Sequence, residues 1–229
     1  MSFKLGIFGD SHGELEIIRS WQDREDNVDI WLQLGDLSVF SAMGRITNQR
    51  TFNKGYSIIS EVEPLPRRLY FLRGNHDQVG FTALEKQRFA KRNIFSLKDG
   101  LYVNNLIPGY NVIVYGWCGI DKDPGVWKGW REKWKDQELK NKIIETKKNG
   151  LPWIVLSHGG VGNFMETPYM ADRIENEDDD IQLWNLLLIT RPKYFIHGHY
   201  HQSFTWYHED WGMRVYVINK DNAKIIEIN

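Results

Sequence analysis

Short apolar runs recur along the chain at Leu5–Phe8, Ile30–Leu34, Leu69–Leu72, Val112–Tyr115, Ile154–Leu156 and Phe195–Ile196, and each gives way within two residues to Gly, Ser or His. Runs of this length predict buried strands that end in polar loops. Between them, Leu15–Gln22, Thr82–Arg92, about Trp130–Lys147 and Ile181–Ile189 read as helices, and Asp178–Asp180 gives the last of these the acidic start that a helix N-terminus favours. From Ser203 onward, β-branched and aromatic stretches at Trp206-Tyr207, Arg214–Ile218 and Lys224–Ile228 alternate with turns at Asp210–Gly212 and Asp221-Asn222, which predicts a meander. Strand and helix alternate first and strands dominate later, so the expectation is an α/β layered core with mixed rather than wholly parallel pairing. Ser38–Pro66 has no clear place in this order; it carries Arg45, Arg50 and Lys54, with a helix expected near Ile46–Ile59.

Composition narrows the class. With 229 residues, 41% hydrophobic and 26% charged, the chain suits one globular domain over 1–229 and is neither disordered nor fibrous. Lys and Arg number 29 against 30 for Asp and Glu, so no global field gathers nucleic acid or an anionic membrane. A single cysteine, Cys118, excludes an intrachain disulfide. The longest apolar run, Val112 to Ile120, is broken by two glycines and is too short to span a bilayer. Phe3-Lys4 leads straight into the first strand, with no room for a signal region. These features give the expectation of a cytoplasmic protein with no membrane partner and no obligate protein partner, nucleic acid being left open.

The polar ends of the strands hold the chemistry. They read Gly9-Asp10-Ser11-His12-Gly13, Gly35-Asp36, Gly74-Asn75-His76-Asp77, Ser157-His158-Gly159-Gly160 and His197-Gly198-His199-Tyr200-His201, and they contain six of the seven histidines. Carboxylates, imidazoles and an amide oxygen at one sheet edge suit Mn, Fe, Zn or Co rather than an iron–sulfur or thiolate site. The two-residue spacing of His199 and His201 puts both rings on one side of an extended segment. Asp and His also cap helices and fill turns, but a fold does not need this sum of blocks.

Taken together, Gly9-Asp10-x-His12, Gly35-Asp36, Gly74-Asn75-His76-Asp77, His158 and Gly198-His199-x-His201 resemble the calcineurin-like metallophosphoesterases over residues 9 to 201. The resemblance implies a four-layer α-β-β-α sandwich of two mixed sheets with a dinuclear metal site at the strand ends. It further implies two divalent metal ions, manganese first, with iron, zinc, cobalt or nickel as alternatives. Asp10, His12 and His201 would hold one ion and Asn75, His158 and His199 the other, with Asp36 bridging. A water activated between the ions would attack phosphorus as hydroxide, with His76 as general acid at the leaving oxygen and Asp77 as its orienting partner. His197 has no place in the pattern and reads as a buried supporting histidine.

The implied substrate is a phosphorylated small molecule or a nucleotide, as a monoester or a diester. Arg73 precedes the Gly-Asn-His-Asp block as in the protein Ser/Thr phosphatase branch, but that branch continues its Gly-Asp block with Asp-Arg-Gly and has Glu at the position of Asp77. This chain reads Gly35-Asp36-Leu37-Ser38-Val39-Phe40 and lacks that arginine, which weighs against a protein phosphatase; Arg45 or Arg50 is the candidate replacement. Trp127, Trp130 and Trp134, with Lys128, Arg131 and Lys133 among them, read first as the inner face of a helix and second as a stacking wall for a base, with Trp127 the candidate contact. A nuclease or cyclic-nucleotide phosphodiesterase and a catalytically silent scaffold stay open as rival functions.

Overall fold

Within the apolar runs, alternate side chains go to different cores. Leu5, Ile7, Ile30, Leu32 and Leu34 join Val112, Val114, Ile154, Leu156 and Ile196 in one cluster. Phe8, Trp31, Leu69 and Phe71 join Leu15, Ile18 and Phe89 in a second. Ile113, Tyr115, Val155 and Phe195 join Ile143, Leu183, Leu186 and Leu187 in a third. Side chains of a strand alternate between faces, so the first cluster lies between two sheets and each of the others lies between a sheet and its helices. The result is the helix-sheet-sheet-helix sandwich expected from the resemblance. These strands read as nearly continuous apolar runs because both of their faces are covered.

The computed structural model describes residues 2–40, 57–74, 76–77, 82–116, 137–161, 177–220 and 222–229. The strands are β1 Phe3–Phe8, β2 Ile30–Leu34, β3 Val39–Phe40, β4 Ser57–Ile58, β5 Leu69–Leu72, β6 Ile94–Ser96, β7 Gly100–Val103, β8 Asn111–Tyr115, β9 Trp153–Ser157, β10 Tyr194–His197, β11 Phe204–His208, β12 Met213–Val217 and β13 Ala223–Ile228. The helices are α1 Leu15–Arg24, α2 Ala83–Ala90, α3 Gln137–Lys147 and α4 Glu177–Thr190. One sheet has the order β13-β1-β2-β5-β6 and the other β11-β12-β10-β9-β8-β7, with β3 and β4 paired apart. In the first, β1, β2, β5 and β6 run parallel and β13 antiparallel. In the second, β8, β9, β10 and β12 run parallel, with β7 and β11 antiparallel at the edges.

Helix α2 begins in a capping box: the Thr82 hydroxyl accepts from the Glu85 amide at 3.2 Å, and the Glu85 carboxylate accepts from the Thr82 amide at 2.7 Å. Among the described residues, no helix is long and apolar enough to cross a membrane.

Two expectations change. The final strands do not form one meander: β11 and β12 are an antiparallel hairpin, whereas β13 leaves for the other sheet and pairs with β1. Ile226 and Ile228 thereby enter the core between the sheets, a gain that local sequence pattern does not encode. Within the expected helix at Ile46–Ile59, Ser57–Ile58 is strand β4 instead, paired with β3; residues 46–56 lie outside the described residues.

Candidate metal centre

The parallel strands β1, β2 and β5 of one sheet and β9 and β10 of the other end at a common edge, and their C-terminal loops meet there. Asp10 follows β1, and its Oδ1 accepts the His199 amide at 3.1 Å while its Oδ2 stands 3.1 Å from His201 Nε2. Asp36 follows β2; its Oδ1 accepts the His76 amide at 2.7 Å, and its Oδ2 lies 3.6 Å from His158 Nε2 and 4.0 Å from His76 Nε2. Ring nitrogens face one another, with His158 Nε2 3.2 Å from His199 Nδ1 and His12 Nε2 3.4 Å from His201 Nε2. Both carboxylate residues are 1% exposed and His158 is fully buried.

The backbone is bent to make this convergence. His12, Asp36, His199 and His201 all have positive φ, at 47°, 51°, 71° and 53°. Such conformations cost non-glycine residues on the order of 1–3 kcal/mol and persist where surrounding structure over-determines them. The surrounding ties are visible: the His12 amide donates to Asp36 O at 2.8 Å, the Gly13 amide to Leu37 O at 2.9 Å, and the Ser57 hydroxyl to Gly13 O at 2.8 Å. Gly35 adds a tight approach, with φ +96° and a hypothetical Cβ only 2.8 Å from Gly74 Cα.

Electrostatics separates the two carboxylates. Burial, with Asp10 and Asp77 nearby, pushes the Asp36 carboxyl up to about 7 despite His158 beside it. Burial also acts on Asp10, but His158 together with the hydrogen bonds from His201 and His199 outweighs it and holds the group below the usual range. For His158 the facing carboxylates Asp36 and Asp10 win over burial and raise its pKa. Burial drives His199 down to about 3, assisted by His158, so this imidazole stays a neutral donor.

The donor atoms fall into overlapping groups whose members lie within 4.8 Å of one another: Asp10, His12 and His201; Asp10, Asp36, His158 and His199; and His12, Asp36 and His76. Asp10 and Asp36 each belong to two of these groups. Imidazole nitrogens facing each other beside buried carboxylates call for a cation, and nitrogen and oxygen donors without a thiolate among the described residues fit borderline divalent ions. His158 Nδ1 lies 2.7 Å from the Leu34 carbonyl and donates to it, which leaves Nε2 aimed at the site.

Of the residues singled out in the sequence, Asp10, His12, Asp36, His76, His158, His199 and His201 are brought together. Arg73 sits half-buried between β5 and Gly74. Asn75, Arg45, Arg50 and Trp127 lie outside the described residues. Asp77 differs from its expected partnership: its carboxylate accepts from main-chain amides, Ser38 N at 2.8 Å and Gly74 N at 2.7 Å. Through these bonds it ties the loop after β2 to the loop carrying His76, and so acts on His76 through the backbone. His197 is fully buried, with its ring between Phe195 and Tyr200, and burial lowers it to about 4, in keeping with a supporting histidine. The Leu34 carbonyl and the Ser38 amide are site components that the sequence did not reveal, because main-chain groups carry no side-chain signature.

Solved structures share this fold at low identity. A candidate 5'-nucleotidase from Staphylococcus aureus, solved in complex with alpha-ketoglutarate, superposes with a TM-score of 0.60 at 15% identity; the match covers 100% of this chain and 51% of that one, so the present chain spans about half its length. A dimetal phosphatase from Danio rerio gives 0.56 at 12% identity, covering 95% and 87% of the two chains. A protein from Thermus thermophilus gives 0.53 at 12% identity, covering 100% and 99%. No curated protein matches the sequence. The model of the calcineurin-like phosphoesterases matches residues 3–203, from the first strand past the last histidine of the site, and the chain belongs to that family.

Proposed function

We propose that the protein hydrolyses phosphoesters with two divalent ions, manganese first among them, and that its substrate is a small phosphorylated molecule or a nucleotide. The observation that carries this reading is the set of overlapping donor groups, built from two buried carboxylates and the imidazoles around them. Asp10, His12 and His201 would hold one ion, His158, His199 and Asn75 the other, with Asp36 between them. Ions bound there supply a nucleophile from water at neutral pH and neutralise charge on the phosphoryl oxygens.

The remaining steps belong to the chain's own side chains. Asp36 anchors the His76 amide at 2.7 Å, which sets the imidazole at the margin of the site, edge-on to His12 with ring centroids 5.2 Å apart. The His76 side chain keeps 17% exposure, so a substrate arriving from solvent can take a proton from it at the leaving oxygen. Asp77 fixes the loop that carries His76. Arg73, with Arg45 or Arg50, is the candidate cation for the phosphoryl group, and Trp127 the candidate platform for a ring.

A substrate panel tests the reading. Protein stripped with chelator and reloaded with Mn, Fe, Zn, Co or Ni is assayed on a chromogenic phosphomonoester, a chromogenic phosphodiester and a nucleotide. Metal-dependent turnover of at least one supports the proposal, and the ratio of monoester to diester rates divides phosphatase from phosphodiesterase. No turnover with any ion overturns it in favour of a silent scaffold.

A further inference from the structure

Gln33 stands in the middle sheet position least suited to a polar side chain. It lies in β2, opposite Phe8 of β1 on one side and Phe71 of β5 on the other, and it is 1% exposed. Its neighbours Phe8, Trp31 and Phe71 belong to the core that packs against α1 and α2. Its side-chain amide nitrogen donates to two main-chain carbonyls, those of Gly9 and, at 2.8 Å, Gly35. Gly9 immediately precedes Asp10, and Gly35 immediately precedes Asp36.

We propose that Gln33 is a positioning residue: its amide clamps the two loops that carry Asp10 and Asp36 and thereby sets the separation of the two ions. This rests on the metal-pair reading above. Both groups it meets are acceptors, so the nitrogen must be the atom that faces them. A planar NH2 offers two hydrogens at a fixed angle without bringing a charge into the core, and glutamine has the reach from β2 to both strand ends. Leucine or methionine could fill the same volume but could not hold either carbonyl. The other end of the side chain marks the function: Oε1 is buried and meets no hydrogen-bond donor among the described residues. An unpaired buried acceptor is costly, and an apolar residue would avoid that cost only by leaving the Gly9 and Gly35 carbonyls without this donor. Violations of this kind collect where function constrains the sequence.

The test compares full-length wild type with Gln33→Met, which keeps volume and loses both donors, and Gln33→Asn, which keeps the donors on an arm one methylene shorter. Chelator-stripped proteins are titrated with Mn²⁺ by calorimetry, melted, and assayed on a chromogenic phosphomonoester. The expected result for Gln33→Met is a cooperative melt at a temperature below that of wild type, since two carbonyls lose their donor, with affinity for the second ion or kcat lowered about 10–100-fold and KM within about twofold. Gln33→Asn should show a loss of about tenfold by the same readouts. Wild-type affinity and kcat in either folded variant overturn the proposal, as does loss of the fold in both, which would make Gln33 a structural tie. A wild-type chain that binds two Mn²⁺ but hydrolyses nothing defeats the proposed function while calorimetry still decides Gln33. A wild type that binds no Mn²⁺ defeats both.

Discussion

The two ends of the central strands treat buried polar groups in opposite ways. At the start of β8, Asn111 is fully buried, and its Nδ2 donates to Asn149 Oδ1 at 3.0 Å and to Leu151 O at 3.2 Å while its Oδ1 accepts from Asn149 Nδ2 at 3.0 Å. Beside it, the Tyr110 hydroxyl donates to the Asn229 main-chain oxygen at 2.6 Å, and Lys193 Nζ donates to the same atom. Donor meets acceptor throughout. At the C-terminal end, nitrogen faces nitrogen at 3.2 and 3.4 Å, and carboxylates point into the same space. Polar groups that serve the fold close on one another, whereas those of the candidate metal centre set like donor atoms against each other. Completeness of pairing, more than burial or charge, distinguishes the Tyr110–Asn111 network from the cluster of carboxylates and imidazoles.

The strongest way to break this contrast is at Asp36, one of the two carboxylates that belong to more than one donor group. Asp36→Asn should abolish phosphoester hydrolysis and lower metal content, since one of its oxygens becomes an amide that cannot balance a cation. A variant with full metal content and full rate would end the idea that this edge is a metal centre. Next in size, His76→Ala should lower kcat by roughly 10²–10⁴ for a substrate with a poor leaving group, with metal content near normal. The loss should shrink for a nitrophenolate leaving group, which needs little protonation. An equal loss on both would make His76 a phosphate-positioning group.

At the opposite end the expected effect is on stability alone. Asn111→Ala removes the buried half of this exchange and leaves the exposed Asn149 amide to water, and should cost about 1 kcal/mol in urea unfolding while kcat on a phosphomonoester stays within about twofold of wild type. A large change in kcat with unchanged stability would show that the two ends are coupled, and the contrast would then describe one network rather than two.

How much of this could be read from sequence follows the same division. The strands β1, β2, β5, β8, β9 and β10 were legible because each is covered on both faces and therefore mostly apolar. The edge strands β6 and β7 were not, since Ile94–Ser96 and Gly100–Val103 are short and mostly half-buried. Strand β13 was legible as a strand but not in its sheet, because Ile226 and Ile228 would look the same against either partner. In the site, Asp10, His12, Asp36, His76, His158, His199 and His201 stood out because each follows a strand end closely. The groups that aim them did not: Leu34 acts through its carbonyl, and Gly9 and Gly35 through theirs. Gln33 was visible only as the one polar residue in Ile30–Leu34. The left-handed backbone at His12, Asp36, His199 and His201 likewise depends on contacts between segments far apart in the chain.

The smallest effect gives the finest test of the contrast, because it has a direction in pH as well as a size. Tyr110 is 6% exposed, and burial first, then Tyr194 beside it, pushes its phenol up to about 12 from the ordinary 10. The folded chain therefore keeps a proton that the unfolded chain releases above pH 10. Stability that this phenol contributes below that pH should fall as pH rises from about 10 toward 12. Tyr110→Phe deletes the bond to Asn229 O and should cost about 1 kcal/mol at neutral pH. It also removes the titration, so the gap between wild type and variant should narrow above pH 10, and the difference between the two proteins cancels what other tyrosines and lysines contribute. Urea unfolding of both at pH 7 and at several pH values above 10 measures this gap directly. A phosphomonoesterase rate at pH 7 that is equal in the two proteins keeps Tyr110 on the purely structural side. A gap that stays constant with pH would mean that the phenol is not held in its protonated form by the fold, and a fall in rate would mean that this end of the strands reaches the chemistry at the other.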